Sequence, residues 1–64
     1  MKNEMEKKLA EITGKTVIIS ADSTEKETIY KVCSVSYNDE KPLRSLIESI
    51  GLKTYGGNFS IYAY

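Results

Sequence analysis

The sequence predicts a small α+β domain in the order α-β-β-α-β(-β): an antiparallel sheet with two helices packed on one face. Three patterns carry that prediction. Apolar residues recur at helical spacing in two separate stretches, at Met5, Leu9 and Ile12 and again at Leu43, Leu46, Ile47 and Ile50. Between them lies a β-branched run, Thr16 to Ala21, followed by a segment of alternating character. The chain then closes with Thr54 to Tyr64, which has four aromatic residues and no charge.

Each element has its own signature. Residues 2–13 set charges around the first apolar stripe, and Gly14 follows where a left-handed cap favours glycine. A helix of three turns is unstable alone, so its stripe must dock. Thr16–Ala21 predicts a strand that is apolar on both faces at Val17, Ile18 and Ile19. Residues 22–26 are polar turn material. Glu27–Tyr37 predicts a longer strand, with Ile29, Cys33, Val35 and Tyr37 on one face and Tyr30 and Val32 on the other. Lys31 interrupts the first set, which predicts a bulge or bend midway. Asn38, Asp39 and Glu40 offer cap oxygens to a second helix, and Pro42 fits only its first turn. Gly51 ends that helix and lets Leu52 fold back on Ile47. In the tail, Gly56-Gly57-Asn58 marks either a tight turn between two strands or a bulge in one. Phe59, Ile61 and Ala63 then share one face, and Ser60, Tyr62 and Tyr64 the other. The echo of Leu9-x-Glu11-x-x-Gly14 in Leu46-x-Glu48-x-x-Gly51 hints at a duplicated α-β-β unit. The expected core is Leu9, Ile12, Val17, Ile19, Leu43, Leu46, Ile47, Ile50 and Phe59.

Composition narrows the function. The 64 residues suffice for one domain, 1–64, and a chain this short buries only about 60% of its unfolded surface. Cys33 is the only cysteine, so no internal disulfide forms, and without histidine the usual zinc sites are excluded. No cofactor is expected. Nine basic residues balance nine acidic ones, and no basic patch is visible, so nucleic acid is a disfavoured partner. The charged start, Met-Lys-Asn-Glu-Met-Glu, predicts neither a signal peptide nor a membrane span, and so a cytoplasmic protein without a membrane partner.

Catalytic motifs are absent. There is no histidine to serve as a base, and Gly56-Gly57 lacks the lysine and following helix of a phosphate loop. Asp22, Glu25 and Glu27 are expected to form a solvated loop, and Cys33 to be a small core residue. The aromatic tail is the one feature above background. Two short helices can cover only one face of a sheet whose strands are apolar on both. The uncovered face would then expose an apolar patch, which marks a partner surface. The expectation is a non-catalytic protein-binding module, a binder, inhibitor or adaptor that acts by occlusion as a homodimer. Tyr30, Tyr62 and Tyr64 are its expected anchors. The Lys, Glu, Ile, Asn and Tyr content suits a phage or mobile-element protein. The alternative is single-stranded nucleic-acid binding, with the same tyrosines as a stacking platform.

Overall fold

The computed structural model describes the backbone from Lys2 to Tyr64 and the side chains from Glu4 onward. Six elements follow in order: α1 (Lys2–Thr13), β1 (Val17–Ile19), β2 (Tyr30–Val32), α2 (Glu40–Glu48), β3 (Thr54–Gly57) and β4 (Ser60–Ala63). The four strands form one antiparallel sheet in the order β1-β2-β4-β3. This is the predicted α+β class, with the optional final strand present.

α1 keeps its predicted bounds. Leu9 is fully buried, while Met5, Ala10 and Ile12 pack around the core from its margin. The Thr13 hydroxyl donates to the Leu9 carbonyl at 2.6 Å and accepts the Lys15 N–H at 3.2 Å. Gly14 then takes a φ of 67°, which an L side chain tolerates poorly, and its N–H donates to the Ala10 carbonyl.

The helices cover one sheet face: α1 lies over β1 and β2, and α2 over β3 and β4. The core between them combines Leu9 and Ile47 from the helices with Val17, Tyr30, Val32, Ile61 and Ala63 from the sheet, and Val35 beyond β2. Two residues expected in the core lie outside it. Leu46 is 40% exposed, because the buried stripe of α2 is centred on Ile47 with Leu43 and Ile50 at its edge. Phe59 is 77% exposed, because it forms the turn between β3 and β4 and is not part of a strand.

That turn is Asn58-Phe59, one residue later than the glycines suggest. Gly57 pairs with Ser60, and Phe59 takes a φ of 56°. Both glycines sit inside β3 and admit close neighbours from opposite faces. A Cβ on Gly56 would meet the Glu40 carboxylate at 2.8 Å, and one on Gly57 would meet the Tyr62 ring at 2.6 Å.

The predicted long strand shrinks to Tyr30–Val32, and it does bend, but at Ser34; Lys31, expected to mark the bend, stays in register with Ile18 and Tyr62. Val32 is in register with Ile61, whereas the Val35 N–H donates to the Phe59 carbonyl at 2.9 Å. One extra residue is therefore accommodated on the β2 side, and Ser34, at a φ of 58°, absorbs it. The bulge returns Val35 to the core three positions after Val32. It also overturns the expected face grouping, since Tyr37 is 89% exposed and Cys33 is only half-buried. At α2, Asp39 makes no side-chain cap bond, because its carboxylate accepts the Ser36 hydroxyl at 2.8 Å.

Candidate functional site

The sheet face away from the helices is the candidate site. In antiparallel pairing, side chains directly opposite one another share a face. The register therefore lays one row across all four strands: Ile18 on β1, Lys31 on β2, Tyr62 on β4 and Tyr55 on β3. No helix covers it. Ile18 is 45% exposed at one end of the row, and Tyr55 is exposed at the other.

Around Tyr55 the tyrosines form a cluster. Its ring stacks on that of Tyr62, with centroids 4.9 Å apart and planes 13° from parallel. Tyr64 meets Tyr55 at 5.8 Å in a tilted arrangement. Three features hold the cluster in place. The Lys53 and Tyr64 backbones exchange hydrogen bonds of 2.8 and 2.9 Å, which fixes the end of the hairpin. Tyr55 and Tyr62 are direct cross-strand partners. Gly57 leaves space for the Tyr62 ring to lie along the sheet.

Acidic side chains border this cluster. The loop from Ser20 to Ile29 is pinned by its own hydroxyls: the Ser23 Oγ accepts the Ile29 N–H at 2.7 Å and donates to the Ile29 carbonyl, while the Thr24 Oγ1 accepts the Glu27 N–H at 3.1 Å. Asp22, Glu25 and Glu27 are all exposed on it. The Tyr55 phenol titrates above its ordinary range. The main cause is shielding from water by its neighbours; the Asp22 carboxylate, the Tyr62 and Tyr64 phenols and Glu27 also disfavour a phenolate. Tyr55 thus presents a neutral hydroxyl, able to donate and accept hydrogen bonds, beside negative charge.

Of the three expected anchors, Tyr62 and Tyr64 lie together on this face. Tyr30 does not. It is 7% exposed and belongs to the core, because it pairs with Ala63 and Ile19 and shares their face toward the helices. Its place is taken by Tyr55. The sequence held a signal for it, since a turn at Asn58-Phe59 puts residues 55 and 62 directly opposite. A phenylalanine with positive φ is an unusual turn residue, and the glycine pair drew the expected turn one position early. Cys33 lies in register on the open face, its thiol 3.9 Å from the Lys31 carbonyl. Lys31 and Lys53 also fall on this side, whereas Lys15 lies in the turn between α1 and β1.

A second exposed aromatic group lies at the other end of β4. Tyr37 and Phe59 flank a cleft of about 230 Å³ lined also by Val35, Glu40, Gly57 and Asn58. Among the described residues no group of three or more potential metal ligands occurs, and no helix is long and apolar enough to cross a membrane. Comparison of the chain with protein-family models, curated proteins and solved structures finds no match.

Proposed function

We propose that the chain is a non-catalytic protein-binding module that acts in the cytoplasm as a homodimer and occludes its partner through the open sheet face. Tyr55, Tyr62 and Tyr64 are the anchors, with Ile18 and Lys31 completing the contact. The observation that carries this proposal is the tyrosine cluster: three rings preassembled on a face that no helix covers. Tyrosines lose little conformational freedom on binding, bury large area and keep a hydroxyl for the wet rim, so such clusters concentrate binding energy. The neutral Tyr55 phenol and the bordering Asp22 and Glu27 support a protein partner over a nucleic acid, since a phosphate backbone would approach those carboxylates. The brevity and Lys/Glu/Ile/Asn/Tyr-rich composition support a phage or mobile-element origin.

Paired affinity capture from the native host, with wild type and a Tyr62→Ala/Tyr64→Ala variant as baits, tests the proposal. The captured protein should bind the double variant more weakly by about 2 kcal/mol or more, with the far-ultraviolet circular dichroism of the variant unchanged. Equal affinity for both baits would remove the tyrosines from the interface. A steep, log-linear fall in affinity with added salt would point to a nucleic acid on the same face.

A further inference from the structure

The sheet has two free edges, and they are not alike. Hydrogen-bonded and non-hydrogen-bonded pairs alternate along an antiparallel ladder, so every second residue of an edge strand turns its peptide groups outward. On β3 the Lys53–Tyr64 exchange fixes the phase, and the outward residues are Thr54 and Gly56. That edge is guarded. The Arg44 Nη2 donates to the Thr54 carbonyl at 3.3 Å and its Nε to the Thr54 hydroxyl at 3.1 Å. Glu40, 3.5 Å from Arg44, holds the guanidinium in place, and Glu48 accepts the Thr54 hydroxyl. A charged side chain laid on an edge is a common defence against strand addition.

Among the described residues β1 has no such guard. The Ser20 N–H donates to the Ile29 carbonyl at 2.7 Å and the Cys33 N–H to the Thr16 carbonyl at 2.8 Å, which fixes the phase there. Val17 and Ile19 therefore face outward, and among the described residues no hydrogen bond reaches the N–H or C=O of either. Beside them Ile18 is 45% exposed on the open face and Ile19 is only half-buried on the other.

We infer that a second copy of this chain adds to the β1 edge, antiparallel, with the two-fold axis at Ile18. This deepens the homodimer proposed above and names its interface. The register suits self-pairing: Val17 of one copy lies opposite Ile19 of the other, so both outward residues enter hydrogen-bonded pairs, and the two Ile18 side chains meet in the close, non-hydrogen-bonded position. The flanking charges are self-complementary. Lys15 precedes β1 and Asp22 follows it, neither side chain has an ion partner in its own chain among the described residues, and antiparallel pairing brings each beside the other's counterpart. Because α1 lies over β1, the two copies of that helix also approach across the axis and extend the contact. The product is one eight-stranded sheet with both tyrosine clusters on the same side. At about 4.8 Å per strand, the two β4 strands stand ~24 Å apart.

Sedimentation equilibrium of the full chain over a concentration series, with amide hydrogen exchange at Val17 and Ile19, tests this. Wild type should dimerise reversibly, and both amides should exchange slowly in the dimer and quickly on dilution. Ile18→Lys, an exposed change, should raise the dimer dissociation constant about tenfold or more by setting two cations at the axis. Lys15→Glu and Asp22→Lys should each weaken the dimer, and an equimolar mixture of the two should restore it as a heterodimer. A strictly monomeric wild type would leave the edge to a partner segment and overturn the inference. So would a dimer in which both amides still exchange quickly, or one abolished by Tyr62→Ala/Tyr64→Ala. The module itself is tested separately, since Lys15→Glu, which lies outside the open face, should still bind the captured partner through the tyrosines while its dimer is weakened.

Discussion

Single residues of this chain depart from ordinary backbone and titration behaviour in places that matter. Phe59 holds a left-handed backbone while leaving most of its ring in water. For an L residue that conformation costs about 1–2 kcal/mol, against which a glycine loses about 0.5–1 kcal/mol through its freer unfolded state. Phe59→Gly should therefore stabilise the fold by up to about 1 kcal/mol, read as a higher midpoint in urea denaturation. A lower midpoint would mean the ring packs in solution. At Tyr55 the sign of the pH dependence follows from a phenol raised above 10.0 in the folded chain. The protonated form is favoured, so this contribution is complete below the unfolded value and is lost as pH rises through the folded one. Wild-type stability should fall above about pH 10, and Tyr55→Phe should fall less steeply over the same window. Parallel slopes in urea midpoints taken from pH 9 to 11 would show the phenol to be uncoupled from folding.

At the scale of elements, α2 separates what periodicity fixes from what it leaves open. The i, i+3, i+4, i+7 spacing of Leu43, Leu46, Ile47 and Ile50 located the helix and its apolar stripe. It did not say which residue stands at the stripe's centre, because a rotation of a few tens of degrees exchanges Leu46 for Ile47. The partner surface decides that, and here it chooses Ile47, which has no exposed area. Ile47→Ala should cost about 2–5 kcal/mol and Leu46→Ala about 1 kcal/mol or less. Chemical denaturation of both variants checks the contrast, and equal losses would mean a different rotation of the helix. The strands show a second limit. β-branched and aromatic runs located every strand region, but the ladder stops where the Ser34 bulge shifts its phase, and no propensity marks that serine. The edge guard is a third. Glu40, Arg44 and Glu48 are spaced to share one helix face, yet that the face lies on β3 depends on tertiary contact.

For the whole molecule, the hint of a duplicated α-β-β unit gains support from the sheet and none from the helices. Exchanging β1 with β3 and β2 with β4 maps the Ile18–Lys31 pair onto Tyr55–Tyr62, and Tyr30–Ala63 onto Ile61–Val32. The register is thus two-fold symmetric about the central Lys31–Tyr62 pair. The echoing leucines do not follow, since Leu9 is fully buried and Leu46 is not. The open face was legible because two short helices cannot cover both sides of an apolar sheet. Which tyrosines occupy it was only partly legible: Tyr62 and Tyr64 follow from alternation within one strand, whereas Tyr30 and Tyr55 depend on pairing between strands distant in sequence. The stacked rings on that face have an optical consequence. The chain contains no tryptophan, so its near-ultraviolet absorption and emission come almost wholly from five tyrosines. Two of them lie nearly parallel at 4.9 Å, close enough for their transition dipoles to couple. Any molecule that settles on the face changes that coupling, so the protein carries an intrinsic, label-free chromophore at the place where it is proposed to bind.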